Sequence, residues 1–272
     1  MIQMLVFSKD RSCQLRLFLQ HCPFNIFNVT VLYKSSNKEY ERGYEKLLDW
    51  IQVYDLPVKM EFESNFRENT LAWIKQVKSK CCCINTDDSI IFRKFNLDDN
   101  VLHDIFQEVD SQSFQLRLGL NTIKQKYYPP IEYYTDIIPT YLKDGIMGWN
   151  FRQHNYRTTN RGRPVSLDGG IHPTKFFREL LHNTNWNNPR ELDGISTDGF
   201  GDTMISFTRS VLFCNSINLV FGHNSHADNY GHYYPLTIEE LNKKWLDGKN
   251  PRAIFNPDDI ISSHTEIPVE MI

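Results

Sequence analysis

The sequence predicts an α/β fold in which helices flank a central, mainly parallel sheet. Three observations predict it. Short β-branched or apolar runs alternate with helical stretches through the first third of the chain, as βαβ units require. Polar clusters follow the first and fourth of these runs, at the strand ends where parallel sheets bind ligands. The 272 residues are 40% hydrophobic and 23% charged, which is enough to bury a large core and too apolar for a disordered chain.

Taken in order, residues 2–7 are a mostly apolar strand ending in Ser8-Lys9-Asp10-Arg11. Leu15, Leu17, Phe18 and Leu19 then fit a buried helix that stops near Pro23. Val29 to Tyr33 is β-branched and reads as the second strand. Ser36 with Glu39 forms a capping box, and Tyr40, Tyr44, Leu47, Leu48 and Ile51 share one face of the helix it opens. Val58 to Phe62 is a third strand, Thr70 to Lys78 a third helix, and Cys81 to Asn85 a fourth strand running into Thr86-Asp87-Asp88.

The second half has a different texture. Residues 98–109 read as a helix and 113–118 as a strand, but 127–170 is rich in Tyr, Pro, Asn, Gly and Arg with no sustained period. A loop-rich stretch of that length usually carries function. Pro173 suits a helix start, with Phe176, Phe177, Leu180 and Leu181 as the apolar face. Thr237 with Glu240 makes a second capping box, and Gly248 ends the helix that follows. The chain shows no repeat, linker or low-complexity tract, so the expected organisation is one domain over 1–272. The change of texture divides it into a 1–125 half and a 126–272 half.

Composition excludes several classes. With 30 Lys+Arg against 33 Asp+Glu, the net charge of −3 leaves no basic footprint for a nucleic-acid partner. The apolar runs fall short of the roughly 20 residues that span a bilayer. Met1 to Phe7 lacks the basic region of a signal peptide, so a cytoplasmic location is expected. Cys81, Cys82 and Cys83 are consecutive and point alternately to opposite faces, and no CxxC spacing exists. Buried thiols are expected, not a structural zinc site.

Asp87-Asp88 is the sharpest motif. Two carboxylates between apolar runs cost several kcal/mol if desolvated and unpaired. A divalent cation, Mg²⁺ or Mn²⁺, removes that cost, and a turn capped by Asp87 fits the pattern equally. Lys9 and Arg11 suit phosphates and Asp10 a ribose or base, whereas Ser8 or Asp10 as a helix N-cap is the plain alternative. Asp168, before Gly169-Gly170, reads as a general base, a holder of a sugar hydroxyl, or part of an ordinary turn. Glu191 is a second candidate carboxylate. His223, His226 and His232 crowd within ten residues. One of them would complete the coordination of a cation at Asp88, or all three are solvated loop histidines.

Together, Phe7 to Arg11, Tyr33-Lys34-Ser35-Ser36, Thr86-Asp87-Asp88, Ser166-Leu167-Asp168-Gly169 and residues 236–249 resemble nucleotide-sugar glycosyltransferases of the GT-A fold. The resemblance implies a sugar transfer, hexosyl or deoxyhexosyl, from a nucleoside-diphosphate sugar to a hydroxyl of a glycan or other acceptor, assisted by Mn²⁺ or Mg²⁺. It implies that Phe7, Ser8, Lys9, Asp10, Arg11, Tyr33, Ser35, Thr86 and Asp87 hold the nucleotide sugar, and that Asp88 with His223 or His226 holds the metal. Asp168, or Glu191 in reserve, would take the acceptor proton. Tyr133, Tyr134, Trp149 and Tyr156 would stack on sugars. Ser89 stands where the family's Asp-x-Asp motif would continue, so the motif is read as Thr86-Asp87-Asp88. Two other readings use the same residues: a metal-dependent phosphoryl-transfer or hydrolytic enzyme, and a carbohydrate- or nucleotide-binding module without catalysis.

Overall fold

The computed structural model describes residues 1–122, 138–153, 164–195, 201–215, 236–260, 265, 267 and 269–272. Four strands, β1 (Ile2–Lys9), β2 (Phe27–Lys34), β3 (Val58–Phe62) and β4 (Cys81–Thr86), are joined by α1 (Ser12–His21), α2 (Lys38–Val53) and α3 (Phe66–Gln76). After Asp87-Asp88 come β5 (Ser89–Ile91), α4 (Asp99–Glu108), β6 (Ser111–Gln115), β7 (Tyr141–Lys143), β8 (Ile146–Asn150) and β9 (Gly170–Pro173). The chain continues through α5 (Thr174–Asn183), α6 (Pro189–Asp193), β10 (Thr203–Phe207), β11 (Leu212–Cys214), α7 (Ile238–Leu246), β12 (Pro251–Ala253) and β13 (Val269–Met271).

Among the described residues, nine strands form one sheet in the order β3-β2-β1-β4-β9-β6-β10-β8-β7. β9 runs against both of its neighbours and β8 against both of its own, so the other seven share one direction. The mainly parallel α/β expectation holds. Side-chain alternation then builds a core on each face. Ile2, Met4, Val6, Cys81 and Cys83 pack against α1, α2, α4 and α7, whereas Leu5, Phe7, Cys82 and Ile84 pack against α3 and α5. Because both faces are covered, the strands read as near-continuous apolar runs. Burial pushes the Cys13 and Cys82 thiols up to about 12, so these cysteines are packing groups and not nucleophiles.

The topology fixes where a ligand fits. The chain runs outward from β1 to β2 to β3, then returns to lay β4 on the other side of β1. Between β1 and β4 the order reverses, and the crevice at the carboxyl ends there is the usual ligand position in open α/β sheets. Phe7 is paired with Thr86 across this seam, so Ser8 to Arg11 and Asp87-Asp88 lie on facing lips.

Several local expectations are corrected. The N-cap of α2 is Asn37, whose side chain accepts from the N–H groups of Glu39 and Tyr40, and Ser36 turns away to Asp10. Neither Ser8 nor Asp10 caps α1, which starts after Arg11 with no side-chain cap. The third helix begins at Phe66, with Asn65 accepting from Glu68 N–H. The loop-rich stretch contains the β7–β8 hairpin, whose two-residue turn puts Asp144 at φ 51° and Gly145 at φ 79°. Asp-Gly was the available signal, since both positions of a type I′ turn need positive φ. Trp149 is no sugar platform. It is 1% exposed and packs with Met147, Phe151 and Met204, because β8 points it into the core.

Candidate functional site

Two adjacent aspartates enter different surroundings. The N–H of Asp87 donates to the Phe7 carbonyl at 3.1 Å, which locks the turn after β4 onto β1. Its carboxylate faces inward. Ser8 Oγ donates to Asp87 Oδ2 at 2.7 Å and lies 2.7 Å from the Tyr44 hydroxyl, which also accepts from Arg11 N–H at 3.2 Å. Arg11 Nη1 sits 3.3 Å from Asp87 Oδ1, and Nη2 sits 3.4 Å from Asp88 Oδ2. Ser8, Arg11, Tyr44 and Asp87 are all buried. Burial raises the Asp87 carboxyl to about 7, with Asp88 adding to the rise and Arg11 and Ser8 opposing it. For Arg11, burial works to lower the pKa, but Asp87 and Asp88 outweigh it and leave the guanidinium above its ordinary value. Arg11 thus favours the ionised Asp87, while burial and Asp88 oppose it.

Asp88 faces a second group. Thr86 Oγ1 lies 2.7 Å from Asp88 Oδ1 and 3.0 Å from Asp168 Oδ1. A hydroxyl has one proton, so it satisfies one of these carboxylates at a time. Asp168 is also ion-paired with Arg117, itself 2% exposed. Cys214 arrives from β11, where it pairs with Ser89, and Asn215 N–H fixes the Asp88 carbonyl at 2.7 Å. One donor atom each from Asp88, Asp168 and Cys214 falls within 4.8 Å of the others. One divalent cation with ligand bonds of about 2.0–2.5 Å bridges such a spacing, and the carboxylates are the hard donors it needs.

The glycine pair after Asp168 serves the fold. Gly169 has φ +79°, and a Cβ on Gly170 would meet the Ser166 carbonyl oxygen at 2.5 Å. The close approach is therefore to the chain's own backbone, and it delivers Asp168 to the lip beside β4 as β9 inserts between β4 and β6.

The other expected site residues divide. Phe7 is buried against Phe66, ring centroids 4.7 Å apart, and meets the site through its carbonyl alone. Lys9 is exposed at the end of β1. Asp10 adopts φ 59°, and both of its oxygens accept from Ser36, from N–H and Oγ at 2.6 Å each. It clamps the two lip loops together, so both oxygens of the expected ribose or base ligand already have donors. Tyr33 packs between Tyr44 and Phe62, and Ser35 is half-buried in the loop after β2. Glu191 is not brought to the cluster. It caps its own exposed turn, accepting from Asn187 N–H and Asn188 Nδ2. His223, His226 and His232, with Tyr133, Tyr134 and Tyr156, lie outside the described residues.

Sequence reading missed Tyr44, Arg117 and Cys214. Arg117 carried a signal of the kind that singled out Asp87-Asp88, namely a charge inside an apolar run, Leu116-Arg117-Leu118.

No protein-family model matches the sequence, and no curated protein does. Among solved structures, a UDP-glucose pyrophosphorylase complexed with UDP-glucose aligns with 76% of this chain and 90% of its own, at 9% identity and TM-score 0.39. The UTP-bound UGPase from Acinetobacter baumannii aligns with 91% of this chain and 99% of its own, at 12% identity and TM-score 0.42. The apo-form glycosyltransferase GlyE of Streptococcus pneumoniae TIGR4 aligns with 91% of this chain and 64% of its own, at 8% identity and TM-score 0.29. Among the described residues, no helix is long and apolar enough to cross a membrane.

Proposed function

We propose that this protein is an enzyme acting on nucleotide sugars, and more closely a metal-assisted glycosyltransferase that moves a sugar from a nucleoside-diphosphate sugar to a hydroxyl acceptor. The observation that carries the reading is the convergence of Asp88 and Asp168 at the β1–β4 switch point. Bound there, Mn²⁺ or Mg²⁺ would neutralise the diphosphate's charge. The protein's own groups prepare that place. Arg11 and Asp87 set the position of Asp88 from below, and Arg117 with Thr86 sets Asp168. Lys9, exposed on the β1 lip, would pair with a phosphate that gains charge as the glycosidic bond breaks. Tyr33 and Ser35, on the β2 lip, would border the nucleoside.

Asp168 moves, on this reading, from proton acceptor to metal holder. Its carboxylate is engaged by Arg117 and Thr86 and lies beside Asp88, which suits a metal holder. The test is an assay for free nucleoside diphosphate with a panel of nucleotide sugars and sugar acceptors. Release that requires both donor and acceptor supports glycosyl transfer. Release without acceptor supports hydrolysis. Pyrophosphate-dependent formation of a nucleoside triphosphate supports nucleotidyl transfer, and binding without turnover of any kind supports a binding module.

A further inference from the structure

The third atom of the cluster is a sulfur. Cys214 is 4% exposed, and the β5–β11 ladder ties it to the aspartates. Cys214 pairs with Ser89, the residue after Asp88, and Asn215 N–H holds the Asp88 carbonyl. The Cys214 backbone therefore stays beside Asp88 as long as that ladder holds. One further observation points to a guest at Asp88. A small recess lined by Gln14, Asp87, Asp88, Ser89 and Asn215 among others shares Asp88 with the cluster, and Gln14 Nε2 is buried with no hydrogen-bond partner among the described residues. An oxygen brought in by a bound cation, such as a water or a phosphate oxygen, would satisfy it.

Resting on the metal-assisted reading above, we propose that Cys214 Sγ is itself a ligand of the cation, alongside Asp88 and Asp168. The centre then carries two carboxylates and one thiolate, and it favours Mn²⁺, Co²⁺ or Zn²⁺ over Mg²⁺. Thiolate is a soft donor that these ions accept and Mg²⁺ does not. On binding, the S–H bond breaks, the sulfur–metal bond forms with the sulfur's electron pair, and the proton leaves to solvent. Arg11 is a positive charge within electrostatic reach of Cys214.

The experiment loads the full chain with Co²⁺ and records the near-ultraviolet band of a cobalt–thiolate bond, alongside nucleoside-diphosphate binding in Mn²⁺ and in Mg²⁺. The parent protein should show the band, and Cys214→Ser and Asp88→Asn should both lose it. Cys214→Ser should weaken Co²⁺ binding at least roughly 10-fold, the scale of losses at metal sites, while Mg²⁺ binding changes little. Asp88→Asn locates the band even if Cys214→Ser does not fold. A parent without the band, or a Cys214→Ser protein that keeps it, overturns the inference. If Mn²⁺ and Mg²⁺ both tighten nucleotide binding while the band is missing, the inference fails alone. If neither ion does, the functional reading fails with it.

Discussion

Asp87 and Asp88 are neighbours of one chemical type, yet the structure puts them in opposite situations. Asp87 closes an interior network with Ser8, Tyr44 and Arg11. Asp88 shares Arg11 but otherwise turns to Thr86 and to the cluster with Asp168 and Cys214. The first region resembles a folding device and the second a binding device. They are coupled, because one guanidinium bridges both carboxylates. Where a strand ends in two acids, the network that absorbs one of them sets the position of the other.

The comparison predicts separable defects. The largest should follow Asp88→Asn, which keeps the shape and removes the charge. Turnover should drop roughly 10²–10³-fold, the scale for losing one preorganised electrostatic group, while thermal stability stays near the parent's. A turnover near the parental value would place Asp88 with Asp87 in the structural region.

Arg11→Met attacks both regions. It strands Asp87 without its buried counter-charge and should cost about 3–5 kcal/mol in denaturant unfolding. Adding Asp87→Asn to that variant should restore much of the loss, because a neutral amide needs no counter-ion. If the double variant is no more stable than Arg11→Met alone, the inner network is not an ion-paired unit.

His172 tests the platform beneath Asp168. It sits in the body of β9, with Nδ1 2.7 Å from the Gln112 carbonyl and Nε2 buried with no partner among the described residues. Burial depresses its pKa to about 4, and the bond to Gln112 opposes that only in part. The folded form is therefore neutral, while the unfolded chain takes up a proton below about 6.5. The contribution of His172 to stability is full above that pH, falls as pH drops toward 4, and changes by about 3 kcal/mol over the window. His172→Asn, which keeps a donor for Gln112, should flatten this slope in urea titrations at successive pH values. An unchanged slope would assign the acid loss to other groups.

Tyr44→Phe should have the smallest effect. It removes one hydroxyl and leaves Arg11 N–H without its acceptor, costing about 1–3 kcal/mol. Metal-dependent nucleotide binding should change by less than Asp88→Asn changes it. A larger binding defect than stability defect would mean that the inner network reaches the ligand directly.

The legible parts of the sequence are those where local pattern and tertiary environment agree. β1 and β4 are buried on both faces and so appear as apolar runs, β2 buries its β-branched face, and the Thr237–Glu240 capping box forms as its spacing requires. β9 was not legible, since of its four residues, Gly170 to Pro173, only Ile171 favours a strand. They become a strand because β4 and β6 leave a slot between them. The pairing of Asp88 with Asp168 was foreshadowed only in part. Each stood out alone as a carboxylate at a turn, but their meeting depends on Gly170 passing the Ser166 backbone. Cys214 carried no signal at all, because a cysteine in a short apolar strand looks like packing until its neighbours across space are known.

The central claim is that Asp88 and Asp168 together hold a cation that receives a nucleoside diphosphate. The most direct measurement is calorimetric titration of the protein with a set of nucleoside diphosphates, with and without Mn²⁺, repeated on Asp88→Asn and Asp168→Asn. The account predicts that Mn²⁺ tightens binding of at least one diphosphate by roughly 10-fold or more, and that each variant abolishes the tightening while remaining folded. Diphosphate binding of equal strength with and without Mn²⁺ in the parent protein, or tightening that survives in both variants, would contradict it.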